Sequence, residues 1–104
     1  MSEIDYNFKL IVSCIKSNGD GSYIVTFGYD NPNSNIFFDE GDYGLRVLKG
    51  RTIILKRLNS NILKHGSHFD ELVAVVNYDS EIEFYFGNKS IIIKGSEIID
   101  KFVN

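Results

Sequence analysis

Two stretches of period-two alternation meet at one glycine-rich turn, and that meeting commits the chain to a sheet. From Asn7 to Lys16, the side chains of Phe8, Leu10, Val12 and Cys14 fall on one side, and those of Lys9, Ile11, Ser13 and Ile15 on the other. From Ser22 to Tyr29, Tyr23, Val25, Phe27 and Tyr29 share one face. Alternation of this kind is the signature of a strand with two unlike faces. Between them lies Ser17-Asn18-Gly19-Asp20-Gly21, dense in residues that adopt turn backbone. Two alternating runs around such a turn read as a β-hairpin.

The rest of the chain continues in short extended pieces. Asn31-Pro32-Asn33-Ser34-Asn35 is a loop, because proline lacks a donor and restricts the residue before it. Ile36-Phe37-Phe38 reads as a short strand or extended piece, and Asp39 to Gly44 as an acidic, glycine-containing loop. Leu45 to Leu48 and Thr52 to Leu58 are strand candidates around Lys49-Gly50-Arg51. Asn59 to His68 reads as a connection. Leu72-Val73-Ala74-Val75-Val76 is a continuous apolar run, which suits a strand covered on both faces. Glu81 to Phe86 alternates acids and Tyr85 against Ile82, Phe84 and Phe86, so one face is expected to be wet. Ser90 to Lys94 follows a Gly87-Asn88-Lys89 turn. The tail from Ser96 to Asn104 reads either as a short helix capped by Ser96, with Ile98, Ile99 and Phe102 on one side, or as a last strand.

About seven to nine short strands at this spacing predict an all-β fold, a small antiparallel sandwich of immunoglobulin-like type. A four-stranded β-domain with a C-terminal helix is the alternative. The 104 residues suit one domain, with a core from about residue 8 to 96 and an undecided tail over 97–104. Apolar residues at 43% supply enough to bury, which sets the chain apart from disordered sequences.

Charge and cysteine content narrow the partners. The net charge of −3 argues against a nucleic-acid binder, which usually presents a basic face. Arg51, Lys56, Arg57 and Lys64 make the one basic cluster, with acids on both sides, and read as a solvated strand and loop. No apolar stretch approaches the length of a membrane-spanning helix, so no membrane insertion is expected. Cys14 is the single cysteine and has no partner for a disulfide within the chain. The opening MSEIDYN has neither the positive nor the apolar region of a signal peptide, which leaves the cellular location open.

Cys14, Gly19-Asp20-Gly21-Ser22-Tyr23 and Phe27-Gly28-Tyr29-Asp30-Asn31-Pro32 together form a recognisable block. Phe38, Gly41, Asp42, Gly44, Gly50 and Arg51 continue it more loosely. In these residues the chain resembles an uncharacterised bacterial β-sandwich module of secreted and surface proteins. Glu40 and Lys49 stand where that family often has proline, and Phe84 where it often has tryptophan. The resemblance implies a sandwich fold, a surface or extracellular setting and no established catalytic site.

No residue set in the sequence makes a convincing active site. His65 and His68 with Asp70 and Glu71 match no common structural zinc spacing, so no metal is assigned. Asn18, Asp20 and Ser22 resemble part of a calcium loop but lack its distal glutamate, and a hairpin turn explains them. Asp39, Glu40 and Asp42 read as solvated loop charge. Cys14 reads as a small buried hydrophobe rather than a nucleophile. No phosphate loop, dinucleotide fingerprint or nucleophile elbow is present, and neither a catalytic residue nor a cofactor is assigned. Among the tyrosines, Tyr43, Tyr78 and Tyr85 are the candidate ligand or interface residues, two in expected loops and one on the expected wet face. The expectation is a non-catalytic interaction module, structural or self-assembling, with carbohydrate or protein binding as the alternative. Its partner is then a second copy, a glycan or another protein.

Overall fold

The computed structural model describes residues 7–58 and 60–98. Nine antiparallel strands run in the order β1 Lys9–Ser17, β2 Ser22–Asn31, β3 Ile36–Phe37, β4 Tyr43–Lys49, β5 Thr52–Lys56, β6 Ile62–Leu63, β7 Gly66–Asn77, β8 Glu81–Phe86 and β9 Lys89–Lys94. One sheet has the order β1-β2-β7-β5 and a second the order β4-β8-β9. With β3 and β6 set aside, this is the strand order of a constant-type immunoglobulin domain. The two-residue β3–β6 ladder ties the β2–β4 connection to the β5–β7 connection at one end.

Alternation explains the core. Val25, Phe27 and Tyr29 of β2, Leu72, Ala74 and Val76 of β7, and Ile82, Phe84 and Phe86 of β8 are all buried in one cluster. The Phe27 and Phe84 rings bridge the two sheets with centroids 4.9 Å apart. In antibody domains a disulfide links the equivalent strands. The continuous apolar run of β7 is covered on one face only: Val73 and Val75 are half-buried on the outer side. Their flanking strands, β2 and β5, shelter them from the sides rather than from above.

The first hairpin forms as its sequence requires. Gly19 and Gly21 hold φ of 80° and 90°, and the Asp20 carboxylate accepts from the Ser22 amide at 3.0 Å and the Ser22 hydroxyl at 2.5 Å. These two bonds hold the Asp20 carboxyl below its ordinary range. One expectation is corrected here. Cys14 is exposed, not buried. The β1–β2 register slips between Val12 and Cys14, so Ser13 forms a bulge. Its hydroxyl donates to the carbonyls of Thr26 and Phe69. The extra residue reverses the alternation, and Ile15 takes the inward position after Leu10 and Val12.

Other boundaries shift by a few residues. Tyr43 and Gly44 belong to β4 rather than to the preceding loop, and the connection before β7 contains β6. After β9 a 3₁₀ turn spans Gly95–Glu97, without a side-chain cap, and leads to buried Ile98. The expected positions of Ile99 and Phe102 lie outside the described residues.

Tyr29 ties β2 to β7 and β8. Its ring is fully buried between His68, at 5.0 Å, and Phe86, at 6.1 Å. Its hydroxyl accepts from the Lys64 amide at 3.1 Å and donates to Glu71 at 3.3 Å. Burial raises the phenol pKa above its ordinary 10.0, helped by the Glu71 charge and opposed by the Lys64 amide. The folded protein therefore keeps a proton that the unfolded chain releases. Stability is fully present below pH 10.0 and is lost as pH rises beyond it. Denaturant titrations at about pH 8 and about pH 11 are expected to show this loss, and Tyr29→Phe to show a flatter alkaline limb. An equally steep limb in the variant would assign the effect to other groups.

Candidate interaction surface

The outer face of the three-stranded sheet is mostly polar. Glu83 lies between Arg46 and Ile92, and Glu81 between Lys49 and Lys94. Arg46 donates to Glu83 at 2.9 Å and lies over the Tyr85 ring at 4.2 Å. The Tyr85 hydroxyl donates to the Gly41 carbonyl at 3.3 Å. This is the wet face expected from the alternation of β8.

The outer face of the four-stranded sheet has a different character. Ile53 of β5 pairs with Val75 of β7, which in turn pairs with Ile24 of β2. Leu55 lies at a slip in the β5–β7 register. Ile53 is 63% exposed and Leu55 56%. Phe69, on the stretch of β7 that bulges past Gly28, is also exposed.

The two sheets are unequally closed along their sides. At the β1/β9 side, the Lys89 ammonium donates to the Phe8 carbonyl at 2.6 Å and lies over its ring, which packs edge-on to Phe38. At the opposite side β4 and β5 are edge strands of different sheets. A cleft of about 180 Å³ opens between them, lined by Tyr43, Gly44, Leu45, Ile54, Arg57, Leu58 and Leu72. A wider groove of about 600 Å³ continues past Val47, Gly50, Arg51, Thr52 and Ile53. The Thr52 hydroxyl is buried and has no hydrogen-bond partner among the described residues.

Basic residues border this open side. Lys56 reaches Asp70, with Nζ 2.6 Å from its carbonyl and 3.4 Å from its carboxylate. Arg51 and Arg57 are exposed, and neither forms an ion pair among the described residues. Of the four residues read from sequence as solvated charge, Arg57 lines the cleft and Arg51 the wider groove, while Lys56 lies on the β5 edge. Lys64 lies elsewhere, beside β6.

The three candidate tyrosines are not brought together. Tyr43 stacks on Phe86 at 5.7 Å and forms one end of the cleft. Tyr85 lies beneath Arg46 on the outer face of the other sheet. Tyr78 is 65% exposed in the β7–β8 turn. The histidines serve local structure. His65 Nδ1 contacts the Asn33 carbonyl at 2.8 Å, and His68 Nε2 contacts the His65 carbonyl at 2.9 Å.

Sequence reading passed over Phe37. Its ring is 69% exposed beside Pro32, Ser34, Asn35 and His65, at an open pocket of about 630 Å³. Beneath it, fully buried Asn31 donates to the Leu63 carbonyl at 2.9 Å and accepts from the Asn33 amide at 2.9 Å. The signal available was Ile36-Phe37 itself: a two-residue strand buries one side chain and turns the next outward.

No protein-family model, curated protein or solved structure matches the chain.

Proposed function

We propose that this protein is a non-catalytic β-sandwich interaction module whose partner is a second copy of itself. The observation that carries this reading is the open side between β4 and β5. It combines two strand edges that are unpaired among the described residues, an apolar floor and an adjoining exposed apolar strand face. Unpaired edges accept further strands, and exposed apolar patches of this sort mark protein contacts. Basic residues or bulges mark the edges of both larger sheets, with Lys89 and Lys94 on β9 and bulges in β1, β4 and β5, so the β4/β5 side is set apart by its apolar lining. The resemblance to modules of surface proteins is in keeping with a structural role.

Absolute mass by light scattering, over a range up to the order of 1 mM and with or without reductant, tests the proposal. Mass is expected to rise with concentration in both buffers, and Ile53→Asp to suppress the rise. A monomer throughout would overturn self-association. A multimer lost only on reduction would assign it to Cys14, which lies exposed on the β1 edge.

A second reading rests on Phe37. An exposed ring flanked by Ser34, Asn35 and His65 suits a neutral sugar, which stacks an apolar face and hydrogen-bonds through its hydroxyls. A glycan screen that returns a ligand lost in Phe37→Ala would favour this alternative over self-association.

A further inference from the structure

We propose that the cleft between β4 and β5 receives the Phe37 ring of a second copy, so that copies join head to tail. This rests on the self-association reading and names the side chain that performs it.

The cleft has the size and walls for one ring. Leu45, Ile54, Leu58 and Leu72 make it largely aliphatic, and its volume is about 180 Å³. An apolar cavity of about 150 Å³ already takes up a benzene molecule. Arg57 also lines the cleft, exposed and without an ion pair among the described residues. The matching occupant is an apolar ring with carboxylates close by.

Phe37, Phe69 and Tyr78 are the largely exposed rings among the described residues, and Phe37 alone meets both conditions. Tyr78 would carry its hydroxyl in among aliphatic walls, where a buried hydroxyl needs a partner. Beside Phe69, the Asp70 carboxylate is already taken by Lys56 at 3.4 Å. Phe37 is followed by Asp39, Glu40 and Asp42, all exposed and none in an ion pair among the described residues. The ring is also held outward by a fixed backbone. Ile36 is buried and Phe37 pairs with Ile62. The Phe38 amide donates to the Asn61 carbonyl at 2.9 Å, and the Asn61 side chain donates to the Phe38 carbonyl at 2.8 Å. A group already fixed in place loses little freedom on docking.

Ring and cleft are separate patches of one chain. Phe37 borders the His65 pocket and takes no part in lining the cleft. A contact between unlike patches is heterologous, so a joined pair keeps one free ring and one free cleft for further copies.

Two variants of the full chain test this. Phe37→Ala lacks the ring, and Arg57→Glu sets a like charge against the acids that follow it. Each alone is expected to associate roughly tenfold more weakly than wild type in light scattering. A 1:1 mixture is expected to recover association, but only as far as a pair. The ring of the Arg57→Glu chain enters the intact cleft of the Phe37→Ala chain, and neither remaining patch can extend the assembly. Both substitutions fall on exposed residues, and matching thermal melts check that both variants fold. If wild type associates and either variant does so equally, this contact is overturned while self-association stands. If both variants weaken but mixing restores nothing, the pairing of this ring with this cleft is overturned. A wild-type chain that stays monomeric overturns both proposals.

Discussion

Gly28→Ala is expected to destabilise the sandwich by about 3 kcal/mol or more. A Cβ built at Gly28 would lie 2.1 Å from the His68 carbonyl oxygen and 2.7 Å from the Phe69 Cα. Both are backbone atoms of the neighbouring central strand, so no side-chain rotation relieves the clash. Here a single residue of β2 lies opposite three of β7, Phe69, Asp70 and Glu71, between the Phe27–Leu72 and Tyr29–His68 pairs. Gly21→Ala provides the contrast. Its Cβ meets nothing within 4 Å, and the cost is that of a left-handed backbone, about 1 kcal/mol. Chemical denaturation of both variants measures the difference. Equal stabilities would mean that β2 and β7 are not pressed together at Gly28.

The second large effect is expected from Phe27→Ala, at about 3–5 kcal/mol. Phe27 is fully buried in the inner strand of one sheet, and its ring meets that of Phe84 from the other. Phe84 in turn packs edge-on against Phe86 at 5.7 Å. Truncation removes the contact that bridges the layers and leaves a cavity whose walls belong to both of them. A loss below about 1 kcal/mol would show that the layers close over the gap. Phe27→Leu, which retains most of the volume, is expected to recover a large part of the loss.

Much of the fold was legible because burial imposes period two on a strand with one face in the core. Tyr23, Val25, Phe27 and Tyr29 announced β2, and Ile82, Phe84 and Phe86 announced β8, in the sequence itself. Cys14 escaped because one bulged residue, Ser13, inverts everything after it. Hydrogen bonds from Ser13 to two other strands decide that inversion, and a linear pattern does not record them. The apolar run at 72–76 misled for a related reason. Val73 and Val75 look like core residues, yet they lie on the outer face of a sheet whose neighbouring strands are themselves apolar there.

The candidate surface was legible only in pieces. Arg51, Lys56 and Arg57 were visible as a cluster, and Ile53 and Leu55 as strand residues. That they border an open side depends on β4 and β5 falling in different sheets, which follows from strand order rather than from local pattern. The tyrosines were singled out by residue type and by expected loop or wet-face positions. Tyr43 turned inward because it pairs with Phe86, and Tyr85 was occupied by Arg46.

The aromatic bridge between the layers also frees this fold from any dependence on thiol chemistry. Sandwiches of the same strand order in antibodies hold their layers together with an oxidised cysteine pair. Here two phenylalanines occupy that junction, so reductants have no covalent tie between the layers to cut. The architecture asks nothing of the electron balance of its surroundings, and the same folded state is open to the chain on either side of a membrane.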